Sequence, residues 1–384
     1  MKSRVNPRRG MAESYHVHFL AMMDDGALAV FVTPHGYGHA GRVCAVLSLL
    51  RLRRPQIRFE IYSTVPEWFI AESIGDVFGL HPEIVDVGLI QRDAFAVDVP
   101  ATCRALDDFL PFADSKIDRL AADLLRRGCG GVRCDVAVLG LVVGQRAGLP
   151  TVLVENFTWD WIYREIPDAP PDLRRHAATL ERAASAADLR LRAHPACGSH
   201  PGISIPPVCR MPRRDPATTR DRLGVPPGAP LVLVTMGGFG WEFSDLDTLR
   251  HHPRIRFVIP GSGDRMAWDG ALLRLPHRSG VFHPDLVAAA DVVVGKLGYG
   301  TVVETAAVGG RFAFVARPGF PESPVLESYV RQTLTSEEIA WGQLATGRWI
   351  RDVERLLERP PSPRIDATGA DTAAQAVLDI VGWT

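Results

Sequence analysis

The sequence predicts an α/β protein made of two Rossmann-like, doubly wound domains in tandem, facing each other across a cleft. Three observations carry that reading. A continuous apolar run followed by a glycine-rich turn and a helical pattern occurs near the start, as Ala27–Val32 (ALAVFV) before HGYGHAG. It occurs again as PLVLVT over 230–235 before Met236-Gly237-Gly238-Phe239-Gly240. Between the two lies a Pro- and Arg-rich stretch, 201–230, where repeated Pro is incompatible with a regular ladder.

Apolar runs of this kind mark strands buried on both faces of a parallel sheet. In chain order we read a strand at 27–32, a glycine turn at 35–41 and a helix over 42–54. A strand over 59–63, a helix over 107–127 and strands over 135–139 and 151–154 follow. In the second half the strands read as 230–235, 256–259, 280–282, 292–294 and 312–315, and 371–381 has helical spacing. Alternation of short apolar runs with helices means a doubly wound sheet. The expected organisation is an extension at 1–25, a first domain over 26–208, a linker over 209–228 and a second domain over 229–368. The terminal helix, within 369–384, returns to the first domain. At 384 residues the chain suits two domains of roughly 150–200 residues each.

Charge and composition exclude several classes. With 43 basic and 44 acidic residues the net charge is −1, so no long-range field draws in nucleic acid or anionic lipid. Any bound anion is held locally. The 6 Cys form no CxxC pair and no zinc spacing, and read as reduced thiols. No apolar run reaches the roughly 18–20 residues that span a bilayer, and a signal peptide is not evident. The expectation is a cytoplasmic protein, with an amphipathic membrane contact left open and no nucleic-acid partner.

Glycine turns between a buried strand and a helix expose backbone N–H groups at the positive end of the helix, where a phosphate fits. The second half offers two: Gly237-Gly238 and the run GKLGYGT, in which Gly298, Tyr299, Gly300 and Thr301 open a helix beside Lys296. One turn on, Glu304 is placed to accept both hydroxyls of a ribose, or else to form a capping box with Thr301. In the first half His39 stands at the mouth of the expected cleft. Imidazole can take and release a proton near neutral pH, so His39 is the candidate general base, with His35 its competitor. Asn156, Trp159 and Asp160, in an aromatic-rich segment after a strand, join His35, Gly36 and Tyr37 as candidate acceptor contacts. The pair Asp245 and Asp247 reads as solvated, and no metal ligands are assigned.

Residues 283–327, through HPDL, AAAD, KLGYGTVVETAAVGG and RPGFPESPVLE, resemble the donor-binding region of GT-B glycosyltransferases. The similarity extends more thinly from Ala27 to the C-terminus. It is greatest toward the N-acetylglucosaminyltransferases that form lipid II and the glycosyltransferase-like half of plant arabinose kinases. HGYGHAGR resembles the glycine-rich acceptor-domain loop of that family, with His39 at the position of its histidine. The resemblance implies diphosphate at the 298–301 turn, ribose at Glu304, base against Phe282 and His283, and donor sugar against Arg317, Glu322 and Glu327. Many relatives carry a Gln in that last motif, which this chain lacks. Relatives also carry an Asp in the loop after the strand read here as 135–139, where this chain has Leu139-Gly140-Leu141.

The expected activity is therefore metal-independent, inverting transfer of a sugar from a nucleoside diphosphate sugar, UDP by resemblance, to a small-molecule or lipid-linked acceptor. The nucleotide-sugar is a substrate, and no separate cofactor is expected. Two alternatives share the architecture: a nucleotide-sugar epimerase or hydrolase, and a non-catalytic binding protein, the latter prompted by the missing Asp. A dehydrogenase is disfavoured, because the first turn lacks GxGxxG with an acidic residue about twenty positions on.

Overall fold

The computed structural model describes residues 26–92, 96–237, 246–344 and 347–383. The readings placed on 1–25, Gly238 and Asp245 lie outside them.

Two seven-stranded sheets organise the chain, in the orders β3-β2-β1-β4-β5-β6-β7 and β10-β11-β9-β8-β12-β13-β14. The first comprises β1 (Ala27–Val32), β2 (Arg58–Tyr62), β3 (Gly79–His81), β4 (Cys129–Asp135), β5 (Thr151–Glu155), β6 (Leu189–Ala193) and β7 (Ile203–Ile205). The second comprises β8 (Leu231–Thr235), β9 (Arg256–Pro260), β10 (Ala267–Asp269), β11 (Leu272–Leu275), β12 (Val292–Lys296), β13 (Arg311–Val315) and β14 (Thr335–Glu338). Every pairing is parallel except β10 with β11. β1 sits at the switch point of the first sheet and is buried along its whole length, as its unbroken apolar run requires.

Helices cover both faces of each sheet. Helix Tyr37–Arg53 and the terminal helix Gly369–Val381 pack together on one face of the first sheet, and Arg53 bonds Asp371 and Gln375 across their contact. A single apolar cluster joins Leu28 and Val30 of the first sheet to Leu231 and Val293 of the second. Two further clusters fill the outer faces. Helix Pro216–Leu223 lies on the chain between the sheets.

Four local readings differ from the structure. The helix expected over 107–127 is two, Val99–Phe109 and Asp114–Arg126, broken at Leu110-Pro111 because Pro restricts the residue before it. The strand expected over 280–282 is absent: Phe282 is the N-cap of helix His283–Ala289, and the neighbouring strand is β11. The first glycine turn is shorter than expected, since the helix already begins at Tyr37.

The fourth matters most. The strand placed at 135–139 ends at Asp135, and helix Leu139–Ala147 follows. Asp135 is therefore the tip of β4 rather than its start. The chain leaves it through Val136, whose φ of 61° is rare for a β-branched residue and forces the strand to stop.

Candidate functional site

Two helix N-termini meet between the sheets. Helix Tyr37–Arg53 starts after Gly36, whose φ of 91° suits only glycine, and helix Tyr299–Val308 starts after Gly298. Neither cap residue makes a side-chain hydrogen bond, so first-turn amides of both helices lack intrahelical acceptors. Their partial positive charge points into one crevice with two lobes, which share Gly38, Gly237, Gly300 and Thr301.

The first lobe, about 90 Å³, holds His39, Lys296, Arg317 and Glu322. His39 Nδ1 lies 3.0 Å from Asp135 Oδ1. Asp135 is fully buried and receives Arg42 through two bonds of 2.8 Å, Nε to Oδ2 and one terminal nitrogen to Oδ1. Burial alone would raise the Asp135 carboxyl, but the guanidinium of Arg42, with His39 and Arg133, holds it well below the usual carboxylate range. An ionised Asp135 only accepts, so its 3.0 Å contact favours the proton on Nδ1 over the longer 3.2 Å approach of Arg42 to that nitrogen, and leaves Nε2 of His39 as the acceptor nitrogen. An aspartate thus stands beside His39 at the strand tip, ahead of the loop in which one was expected.

Arg42 also donates to Asn156 Oδ1 at 2.5 Å, and Asn156 Nδ2 donates to Glu322 Oε1 at 2.7 Å. Since Asn156 comes from the first sheet's side and Glu322 from the second's, this chain of bonds ties His39 to the opposite wall. Burial raises the Glu322 carboxyl. Lys296, last residue of β12, is buried, and burial with the nearby charge of Arg317 pushes its ammonium down to about 6.

The second lobe, about 150 Å³, contains Glu304, His283, Tyr37 and Trp68. Glu304 Oε1 accepts from Arg210 Nε at 3.1 Å, and Oε2 lies 3.2 Å from His283 Nδ1. Burial raises this carboxyl, yet Arg210 and His283 outweigh it and hold it below its ordinary value. Each oxygen keeps a second lone pair for a ligand hydroxyl. The capping-box alternative fails, because Glu304 lies in the second turn of its helix and its oxygens bond Arg210 and His283 instead.

Several expected contacts fall elsewhere. Phe282 is buried beneath Arg213, 4.1 Å from ring centroid to guanidinium, and is not among the residues lining either lobe. Asp160 lines neither lobe and pairs with Arg164 at 3.2 Å and His200 at 3.4 Å. At the start of helix Trp159–Glu165 its carboxylate turns into the domain, while Trp159 keeps the cavity wall. Tyr37 lines the Glu304 lobe rather than the His39 lobe, stacked on Phe69. His35 borders the His39 lobe with its Nε2 3.1 Å from Asp86 Oδ1, and Gly36 and Asn156 line the same wall.

Among the described residues Asp160, Glu181 and His200 form a group with metal-ligand spacing, outside both lobes and with Arg164 already bridging the two carboxylates. Asp247 is exposed. No described helix is long and apolar enough to cross a membrane.

Three residues of the candidate site escaped sequence reasoning: Asp135, Arg42 and Arg210. The spacing His39-x-x-Arg42, one helical turn, was the available signal for Arg42. Asp135 and Arg210 gave none, since their partners lie 93 to 96 and 94 residues away.

No family model matches the chain. L-arabinokinase of Arabidopsis thaliana is 25% identical over 387 residues, covering 98% of this chain and 36% of that protein. The chain thus spans about a third of the length of the curated relative it matches. Among solved structures, MurG of Acinetobacter baumannii matches 94% of this chain and 100% of its own at TM-score 0.53 and 13% identity. The calicheamicin glycosyltransferase CalG4 matches 93% and 98% at 0.59 and 14%. UGT71G1 of Medicago truncatula, solved with UDP-glucose, matches 94% and 98% at 0.57 and 12%. The fold is GT-B.

Proposed function

We propose that this chain is an inverting glycosyltransferase using a nucleoside diphosphate sugar, UDP being the preferred nucleotide, and an acceptor hydroxyl. The observation that carries the reading is one cavity holding His39, oriented by Asp135, together with the uncapped start of helix Tyr299–Val308 and Lys296. The fold shared with glycosyltransferases supports it.

The diphosphate rests on the amides of Gly298, Tyr299, Gly300 and Thr301, with Lys296 beside it and Gly237 opposite. The nucleoside runs into the second lobe, where Glu304 receives ribose hydroxyls and the loop before His283 borders the base. The acceptor enters along His35, Gly36, Asn156 and Trp159. Its oxygen attacks the anomeric carbon while Nε2 of His39 takes the hydroxyl proton. The new C–O bond forms as the bond from that carbon to the diphosphate breaks, and the electron pair leaves on the diphosphate. Both helix N-termini and Lys296 stabilise that charge, which is the work a divalent cation would otherwise do, so the proposed chemistry is metal-independent. Asp135 beside His39 favours turnover over a non-catalytic binder.

The test is a thermal-shift series with UDP, dTDP and GDP, followed by UDP release from UDP-sugars with and without alcohol acceptors. A ligand at about 100 times its Kd stabilises by about 2.7 kcal/mol. Release should require acceptor and fall about 100- to 10,000-fold in His39→Ala, with nucleotide binding kept. Absence of any nucleotide shift, or acceptor-independent turnover, overturns the assignment.

A further inference from the structure

Lys296, Arg317 and Glu322 share the lobe in which His39 stands. Arg317 is 7% exposed, its Nε has no hydrogen-bond partner, and its guanidinium lies 3.8 Å from the centroid of the Phe320 ring. Stacking fixes the plane of the guanidinium and leaves its donor edge to be satisfied by something else. Glu322 is the nearby anion and attracts Arg317 through space, but Asn156 holds one of its oxygens and, among the described residues, no ion pair joins the two. Burial also draws Glu322 toward its neutral form. The lobe therefore holds a desolvated guanidinium whose Nε is unsatisfied although Glu322 lies within electrostatic reach, and a buried donor left unsatisfied is costly.

The diphosphate placed above accounts for Lys296 and the helix N-terminus, and does not account for Arg317. The transferred ring must lie between His39 and the diphosphate, so its outer substituents reach toward the loop after β13, where Arg317 and Phe320 stand. Resting on the proposed glycosyl transfer, we infer that the transferred sugar carries a carboxylate, as a uronic acid does, and that Arg317 is its specificity-determining partner. A planar guanidinium edge matches a carboxylate through two parallel hydrogen bonds, whereas a neutral hydroxymethyl group leaves the charge unanswered.

Titration calorimetry of UDP, UDP-glucose and UDP-glucuronate against the full chain and Arg317→Gln tests this. The wild type should bind UDP-glucuronate at least about tenfold more tightly than UDP-glucose, the range of a charged hydrogen bond, and Arg317→Gln should abolish that ratio. Arg317→Lys should retain part of it. Equal or tighter binding of UDP-glucose by the wild type overturns the inference and leaves glycosyl transfer standing. A loss in Arg317→Gln common to UDP and both sugars makes Arg317 a diphosphate ligand and also overturns it. If no nucleotide binds at all, both fall together. Should Arg317→Gln not fold, the wild-type ratio decides alone.

Discussion

Gly38 and Gly300, which open helices belonging to different sheets, touch backbone to backbone: a Cβ on Gly300 would stand 2.9 Å from Gly38 Cα. The contact brings two uncapped helix starts together, and only the absence of side chains permits it. In Gly300→Ala the colliding atom is backbone, so the two sheets must part by a few tenths of an ångström. Turnover should drop at least about tenfold, because misplacement of reacting groups is expensive in rate. The melting temperature should fall only modestly, since the two clusters on the outer faces are untouched and the one joining the sheets gives only slightly. Unaltered turnover in this variant would show that the close approach is incidental.

Lys296 predicts a proton uptake. Its folded value near 6 lies below the ordinary 10.5, so the empty protein holds a neutral amine above about pH 6. A bound diphosphate favours the ammonium, and binding then takes up a proton. Affinity for UDP should weaken as pH rises from about 6 toward the raised value of the complex. At pH 7.5 calorimetric heats should differ between buffers of unlike ionisation enthalpy, and Lys296→Gln should remove the difference. The same depression makes the empty protein gain stability as pH rises between about 6 and 10.5, where the unfolded chain binds the extra proton.

Asp135 predicts a stability effect that also grows as pH rises, but in the acid range. Replacing it by Asn leaves Arg42 and Arg133, both buried, without their carboxylate. The cost should be about 3–5 kcal/mol at pH 7, measured by urea denaturation. Because the folded carboxyl value is depressed, its contribution is complete above the unfolded value near 4 and is lost as pH falls below it. The gap between wild type and Asp135→Asn should therefore narrow in acid; a gap constant with pH would mean that Asp135 is not ionised in the native protein.

The strands β1, β5, β8, β12 and β13 were legible because burial on both faces gives each an apolar run of at least three residues, with polar residues confined to their ends. β4 was not: CGGVRCD carries Arg133 and Asp135, both fully buried, and the carboxylate of Asp135 is tolerated there because Arg133 and Arg42 both pair with it. The edge strands β3, β7 and β10 are three residues long and too short to register a period. Glycine turns, His39, Lys296 and Glu304 could be nominated since their chemistry follows from residue type and position in a strand–turn–helix unit. Phe282 and Asp160 were nominated on the same grounds and point elsewhere, because direction at a helix start depends on packing that spacing does not encode.

Taken alone, the amino-acid order determined that two strand–turn–helix series exist, that each exposes amides at a glycine, and that a histidine and a carboxylate stand near them; these are consequences of local backbone freedom and burial. Folding in three dimensions decided which charges face each other. The partners of His39, Arg42 and Glu304 lie 93 to 96 and 94 residues off along the chain. Coulomb attraction and hydrogen bonding act over a few ångströms whatever the separation in sequence, so only the meeting of strand tips and helix starts could pair Asp135 with His39 and leave the Nε of Arg317 without a hydrogen-bond partner.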